Sequence, residues 1–238
     1  MWILLLLAAA QQPPGGFDEY ARQVETRIAE DGPNFLRLAQ DDGARARLRA
    51  GEVLTSPAAP LGLKPQVSIA GAQIQHWVGA MFLPCRTLAE AIPRLQGYDR
   101  RKLFMSPEIT ESSILGRDGN DFKVYLRLHE KSVVSGTFDV YLSIAYRMLD
   151  DSRLLIASRS DSIAEVATPD RGLLRVLNHY WRVQEADGGL YVECEALVLS
   201  RKPPGLIQWI ADPMIAQASR KTLLNTLEAT RRMIESDL

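Results

Sequence analysis

The chain has 238 residues, 46% hydrophobic and 24% charged, which is too apolar for wholesale disorder; at about 150 residues per domain it allows one large domain with an extension and excludes a large multidomain enzyme. Lysine and arginine total 28 against 29 aspartates and glutamates, a formal net charge of -1, so no global basic field points to nucleic acid or to an anionic membrane. The two cysteines, Cys85 and Cys194, allow one bridge at most and no disulfide framework.

Residues 1–10, from Met1 to Ala10, are an unbroken apolar run, about half the roughly 20 residues that span a bilayer as a helix, so no integral membrane span is expected. The run has the length of a signal-peptide hydrophobic region. Ala8-Ala9-Ala10 and the breaker stretch Gln11 to Gly16 follow as a cleavage region and spacer, and together they predict a signal peptide over 1–16 and a secreted or periplasmic protein. No Lys or Arg precedes Arg22; a cytoplasmic protein with an ordinary buried N-terminal segment is the alternative.

Residues 17–65 read as an N-terminal helical extension and connector. Phe17, Tyr20, Val24 and Ile28 repeat at helical spacing, and Gly32-Pro33 ends that helix. A second helical stretch lies within 34–50. There Arg45, Arg47 and Arg49 are flanked by Asp41, Asp42 and Glu52 and read as a solvated face rather than a nucleic-acid patch. Pro57, Pro60 and Pro65 make Leu54 to Pro65 a connector, since proline suits neither a helix interior nor a central strand.

From about residue 66 onward a main domain follows, in which the periodicity becomes 2. The strands predicted are Ala72 to Leu83, Ile109 to Leu115, Phe122 to Glu130, Thr137 to Met148, Arg153 to Val166, Leu174 to Gln184 and Leu190 to Leu199, about seven in all. Short turns such as Gly116 to Asn120, Ser135-Gly136, Asp150-Asp151, Pro169 to Gly172 and Asp187-Gly188-Gly189 make consecutive strands antiparallel. One or two short helices fit Cys85 to Glu108, with Thr87 as N-cap of Leu88 to Leu95 and Glu90 as its capping-box partner. Pro203-Pro204-Gly205 stops the last strand, and Asp212-Pro213 reads as the N-cap and first position of a closing helix striped by Leu223, Leu227 and Ile234. The class is therefore α+β.

Alternation assigns faces. Leu126, Phe138, Leu142, Cys194 and their neighbours form an apolar side; Lys123, Arg127, Glu193 and Glu195 form the other, which reads as wet. A two-residue turn at Asp187-Gly188 sets Arg182 across from Glu193 on that wet face and points His179, Trp181 and Val183 inward. Both phases of the first strand are partly apolar, so His76 faces either way.

The element order and the strings His76-Trp77-Val78-Gly79-Ala80, Tyr98-Asp99, Arg117-Asp118-Gly119, Asn178-His179-Tyr180-Trp181-Arg182 and Asp187 to Glu195 resemble the START-like, helix-grip superfamily. Also called SRPBCC, it includes START lipid-transfer domains, polyketide cyclase-like proteins and pollen-allergen-like proteins. The resemblance covers roughly residues 70–236 and contains no catalytic signature. It implies a curved antiparallel sheet wrapped around the long C-terminal helix, with a cavity between them for a lipid or other small hydrophobic ligand. It also pairs the first and last strands antiparallel, placing Cys85 nearer Leu190 than Cys194 and leaving both thiols free.

On that frame the expected cavity residues are Leu126, Phe138, Leu142, Tyr146, Ser158, Ser160, His179, Trp181, Cys194, Leu223 and Leu227, a mostly apolar wall with a few placed polar groups. No nucleophile elbow, Walker loop, dinucleotide fingerprint or His-Glu-x-x-His motif occurs. No cofactor and no metal are expected, and His129 points away from His179 on the assigned faces. Two functions follow: a non-catalytic carrier or sensor of a hydrophobic molecule, or a cyclase- or dehydratase-like enzyme with His179 as acid/base and Tyr146 or a serine orienting the substrate.

Overall fold

Eight strands pair antiparallel throughout in the spatial order β1-β2-β8-β7-β6-β5-β4-β3. The structure is a computed structural model that describes residues 15–62, 69–130, 135–166, 173–202, 205 and 208–236. The signal-peptide reading of residues 1–16 falls almost wholly outside these, as do the turn at 169–172 and Pro203-Pro204. The strands are β1 (Leu54–Pro57), β2 (Ala72–Pro84), β3 (Ile109–Asp118), β4 (Asp121–Glu130), β5 (Gly136–Asp150), β6 (Arg153–Glu165), β7 (Leu174–Ala186) and β8 (Gly189–Arg201). The sheet is curved and unclosed, with β1 and β3 at its edges.

The helices are α1 (Gly15–Glu30), α2 (Asp42–Arg49), α3 (Leu88–Leu95), α4 (Arg101–Met105) and α5 (Gln208–Glu235). Thr87 caps α3 through a full capping box with Glu90, satisfying first-turn N–H groups that otherwise lack partners. In the β7–β8 turn Asp187 (φ 54) and Gly188 (φ 75) both lie at positive φ, the signature of the hairpin turn whose twist matches its strands. It fixes the register Arg182↔Glu193 and Trp181↔Cys194. Leu83 pairs with Leu190 and Gly79 with Cys194, so Cys85 and Cys194 are both free, one exposed and one buried.

Two local expectations are corrected. The connector contributes a short edge strand, β1, paired Leu54↔Ala80 through Pro57↔Trp77; proline is tolerated there because it stands at the end of an edge strand. Helix α5 begins at Gln208 and carries Pro213 inside it, so Asp212-Pro213 does not open the helix. Proline so close to the helix start removes one backbone bond while the following turns continue.

A larger correction concerns the second face of the sheet. The inner face carries Met81, Val124, Phe138, Val140, Ile144, Val183 and Val192 against Leu223, Leu227, Met233 and Ile234 of α5. The opposite face of β2, β8 and β7 is covered as well. Phe17, Tyr20, Val24 and Ile28 of α1 pack on Val176, Tyr180, Leu197 and Leu199, each large apolar side chain so buried being worth about 1.5–3 kcal/mol. Phe35, Leu36 and Leu48 pack on Leu54, Ala80, Phe82 and Tyr191. Arg182, Glu193 and Glu195 are therefore wholly buried, because the N-terminal helices occupy the face where strand alternation alone placed water. The helical arginines do stay outside: Arg47 pairs with Glu52, and Arg45 and Arg49 reach Asp187.

Candidate functional site

Between the inner face and α5 lies a cavity of about 480 Å³, within the roughly 300–1,000 Å³ range of small-molecule sites. Alternation along β4 and β5 delivers Leu126, Leu128, Phe138, Leu142, Ile144 and Tyr146 to its wall; β6 and β7 deliver Ile156, Ser158, Leu177, His179 and Trp181. Leu223 and Thr226 of α5 cover it, and Tyr98, Arg101, Phe104 and Met105 close one side from the short helices before β3.

Of the expected residues, Leu126, Phe138, Leu142, Tyr146, Ser158, His179, Trp181 and Leu223 lie together on this wall. Ser160, Cys194 and Leu227 are elsewhere. A register shift between Tyr141 and Leu142 carries Ser160 out of phase; its Oγ accepts from Leu177 N at 3.0 Å and its N donates to Asn178 Oδ1 at 3.1 Å. Cys194 is sealed between Gly79 and Trp181 in the sheet. Leu227 is wholly buried where α5 sits directly on β2: a Cβ added at Gly79 would lie 2.7 Å from its Cδ1.

Pattern reading missed Gln75, Trp77, Tyr98 and Arg101 on the wall. The undecided phase of β2 resolves with Trp77 toward the cavity and His76 toward α1. Tyr98 lies in the Tyr98-Asp99 string, where a buried tyrosine beside two short helices was the available signal.

The wall carries polar groups among its apolar ones, Tyr98, Tyr146, His179 and Arg101 with them. The Tyr98 and Tyr146 hydroxyls are 2.7 Å apart, and burial pushes both of their pKa values up, so both are protonated near neutrality. One donates to the other, and the acceptor keeps its own O–H for a further partner. Burial, reinforced by the charge of Arg101, holds the His179 imidazole down at about 4; it is neutral near pH 7. The ring stands beside Trp181, centroids 6.5 Å apart, and among the described residues it has no side-chain hydrogen-bond partner. Such a wall holds an apolar body and offers it a handful of hydrogen bonds. No group of three or more His, Cys, Asp or Glu placed to hold a metal occurs among the described residues.

Behind the sheet, under α1, a second polar cluster faces away from the cavity. Glu195 takes Arg182, Arg27 and His76; Glu193 takes Arg182 and the backbone N–H groups of Arg37 and Leu38 at 3.0 and 2.7 Å. The Glu193/Glu195 pair thus has its acceptor sites filled by these donors and locks the extension to the sheet.

No protein-family model and no curated protein sequence matches this chain. Solved structures do match. One is a STAR-related lipid transfer protein, fragment 25-204, from Xanthomonas axonopodis: 15% identical, TM-score 0.51, covering 71% of this chain and 97% of that one. Another is the Zhui aromatase/cyclase from Streptomyces sp. R1128, 12% identical with TM-score 0.51 over 68% of this chain and 94% of that one. At such identities the likeness is one of fold. With the antiparallel sheet curved about α5 and the cavity held between them, the chain has the START-like helix-grip fold.

Proposed function

We propose that this protein binds and carries a lipid or other small hydrophobic molecule, without chemical change, in the cavity between the inner face of the sheet and α5. The observation that carries this reading is the wall itself: a cavity of about 480 Å³ lined by Leu126, Phe138, Leu142, Ile144, Trp181 and Leu223, where a solid core would interdigitate and leave few voids larger than a water molecule. The fold shared with a STAR-related lipid transfer protein supports it. No helix among the described residues is long and apolar enough to cross a membrane.

The test is native purification followed by mass spectrometry. A hydrophobic molecule, chemically unmodified and released on denaturation, is the expected result. Protein that purifies empty, and that binds neither a neutral dye such as Nile red nor a fatty acid at any concentration where it stays folded, overturns the reading.

A cyclase- or dehydratase-like enzyme is the second reading, favoured by one observation: the His179 imidazole faces the cavity with no side-chain hydrogen-bond partner among the described residues. The fold shared with an aromatase/cyclase is compatible with it. Under this reading the released molecule is a product that an inactive His179→Gln protein no longer forms. Export from the cytoplasm we infer from the Met1 to Ala10 run alone; an intact mass that still includes Met1 in the native protein overturns it.

A further inference from the structure

Arg101 opens α4 and lies on the cavity wall. Its guanidinium carbon stands 4.8 Å from the centre of the Tyr98 ring, and one Nη donates to Leu95 O at 3.0 Å. Its Nε is buried and has no hydrogen-bond partner. Among the described residues no carboxylate pairs with it. Of the other charged groups along the wall, Glu108 accepts from Asn225 Nδ2 at 3.0 Å, Glu228 lies 3.6 Å from Arg231, and Arg232 donates to Phe104 O at 2.9 Å. A guanidinium half-buried on this wall, with one N–H unpartnered and no carboxylate paired to it among the described residues, is better satisfied when an anion meets it. Beside it, the Tyr98 and Tyr146 pair keeps one O–H to donate.

We propose that the cavity selects amphiphiles carrying one anionic head group, a carboxylate of the kind borne by a long-chain fatty acid, with the head held by Arg101 and the tail lying among Leu126, Phe138 and Leu142. This rests on the hydrophobic-ligand reading of the same cavity and narrows it. A guanidinium presents N–H donors to both oxygens of a carboxylate at once, and the spare tyrosine hydroxyl supplies a third donor. Neutral lipids of the same length find the same apolar wall and leave the guanidinium unpaired, so the discrimination comes from the head group alone.

The experiment titrates the full chain with cis-parinaric acid, with its methyl ester and with Nile red at pH 8, in wild type, Arg101→Gln and Arg101→Lys, alongside a thermal melt of each. A hydrogen-bonded charge pair of this kind should favour the acid over the ester by about tenfold or more in wild type. Arg101→Gln should lose that preference while ester and Nile red binding stay unchanged, and Arg101→Lys, which keeps the charge, should recover part of it. Equal affinity of acid and ester in wild type overturns the proposal, and so does a loss in Arg101→Gln that falls equally on the ester. Should Arg101→Gln not fold, the wild-type comparison and Arg101→Lys decide by the same criteria. If ester and Nile red bind but the acid is not preferred, the anion proposal alone fails. If none of the three binds, the hydrophobic-ligand reading fails with it.

Discussion

His76 Nε2 lies 2.6 Å from Glu195 Oε1, and neither side chain reaches solvent. The other ring nitrogen, Nδ1, is 2.6 Å from the Tyr20 hydroxyl of α1, so one imidazole of β2 ties a helix of the extension to the neighbouring strand β8. Arg182 and Arg27 complete the carboxylate's shell.

Removing that carboxylate strands buried charge. Burial pushes the Glu195 carboxyl up, but the His76 hydrogen bond and the charges of Arg182 and Arg27 outweigh it and hold its pKa far below the usual carboxylate range. A depressed carboxylate contributes stability that is full above its unfolded value of 4.5 and is lost as pH falls toward the folded value. Glu195→Gln is expected to cost about 3–5 kcal/mol at pH 7, with the gap to wild type narrowing in acid. Urea melts at pH 7 and at several pH values below 4.5 measure it; a gap that stays constant across that range contradicts the account.

His179 titrates in the same direction for a different reason: burial disfavours its charged form rather than partners favouring it. Its folded value of about 4 lies below its unfolded 6.5, so between those values the unfolded chain binds the proton first and stability falls as pH drops through this window. Nuclear magnetic resonance of the ring should show a midpoint near 4. Replacing His179 with Gln should flatten the stability profile between 4 and 6.5. A midpoint at the ordinary 6.5 means that the cavity is wetter than its wall implies.

Gly79 is where α5 meets the sheet. An added Cβ would stand 2.7 Å from Leu227 Cδ1 and 3.0 Å from Leu223 Cδ2, both on buried side chains with little room to turn. Gly79→Ala is expected to cost about 1–3 kcal/mol by overpacking, and Gly79→Val more, while the distant Gly116→Ala, whose nearest neighbour would be 4.0 Å away, should be nearly neutral. Denaturant melts of the three variants decide; equal effects at positions 79 and 116 would show that α5 sits off β2.

The thiols should separate by access. Cys85 is exposed and Cys194 buried, and burial raises the Cys194 thiol well above its ordinary value, suppressing the reactive thiolate. An aromatic disulfide reagent should therefore count one thiol in the native protein and two after denaturation. Two fast thiols in the native state would mean that Cys194 is reachable from the cavity.

What the sequence made legible follows from the range of each interaction. Thr87 and Glu90 are three residues apart, and the Asp187-Gly188 turn closes on its own strands, so cap and register could be read locally. The inward set His179, Trp181, Val183 followed from that turn. The outer face did not, because Glu193 and Glu195 owe their burial to Arg27, Arg37 and Leu38, donors more than a hundred residues earlier in the chain. A strand that alternates charge with apolar residues reads as half wet unless those donors are known. Arg101 and Tyr98 escaped for a different reason: the helices between β2 and β3 turn inward at the sheet's end, and no periodicity in so short a stretch says which side chains look back into the cavity.

The clasp beneath α1 has a consequence for how the chain comes together during synthesis. Arg27 and its partner Glu195 are separated by 168 positions, and Tyr20 and His76 by 56. A ribosome therefore releases the apolar stripe Phe17, Tyr20, Val24, Ile28 long before β7 and β8 exist to receive it, and an isolated helix of 16 residues is marginal in water. Until the last hairpin emerges, that stripe is exposed and available to chaperones or to other nascent chains. Pairing the first helix with the last strands makes completion of the chain a condition for burying its beginning, so a product truncated before Arg182 would keep a sticky amino terminus and be open to proteolytic removal.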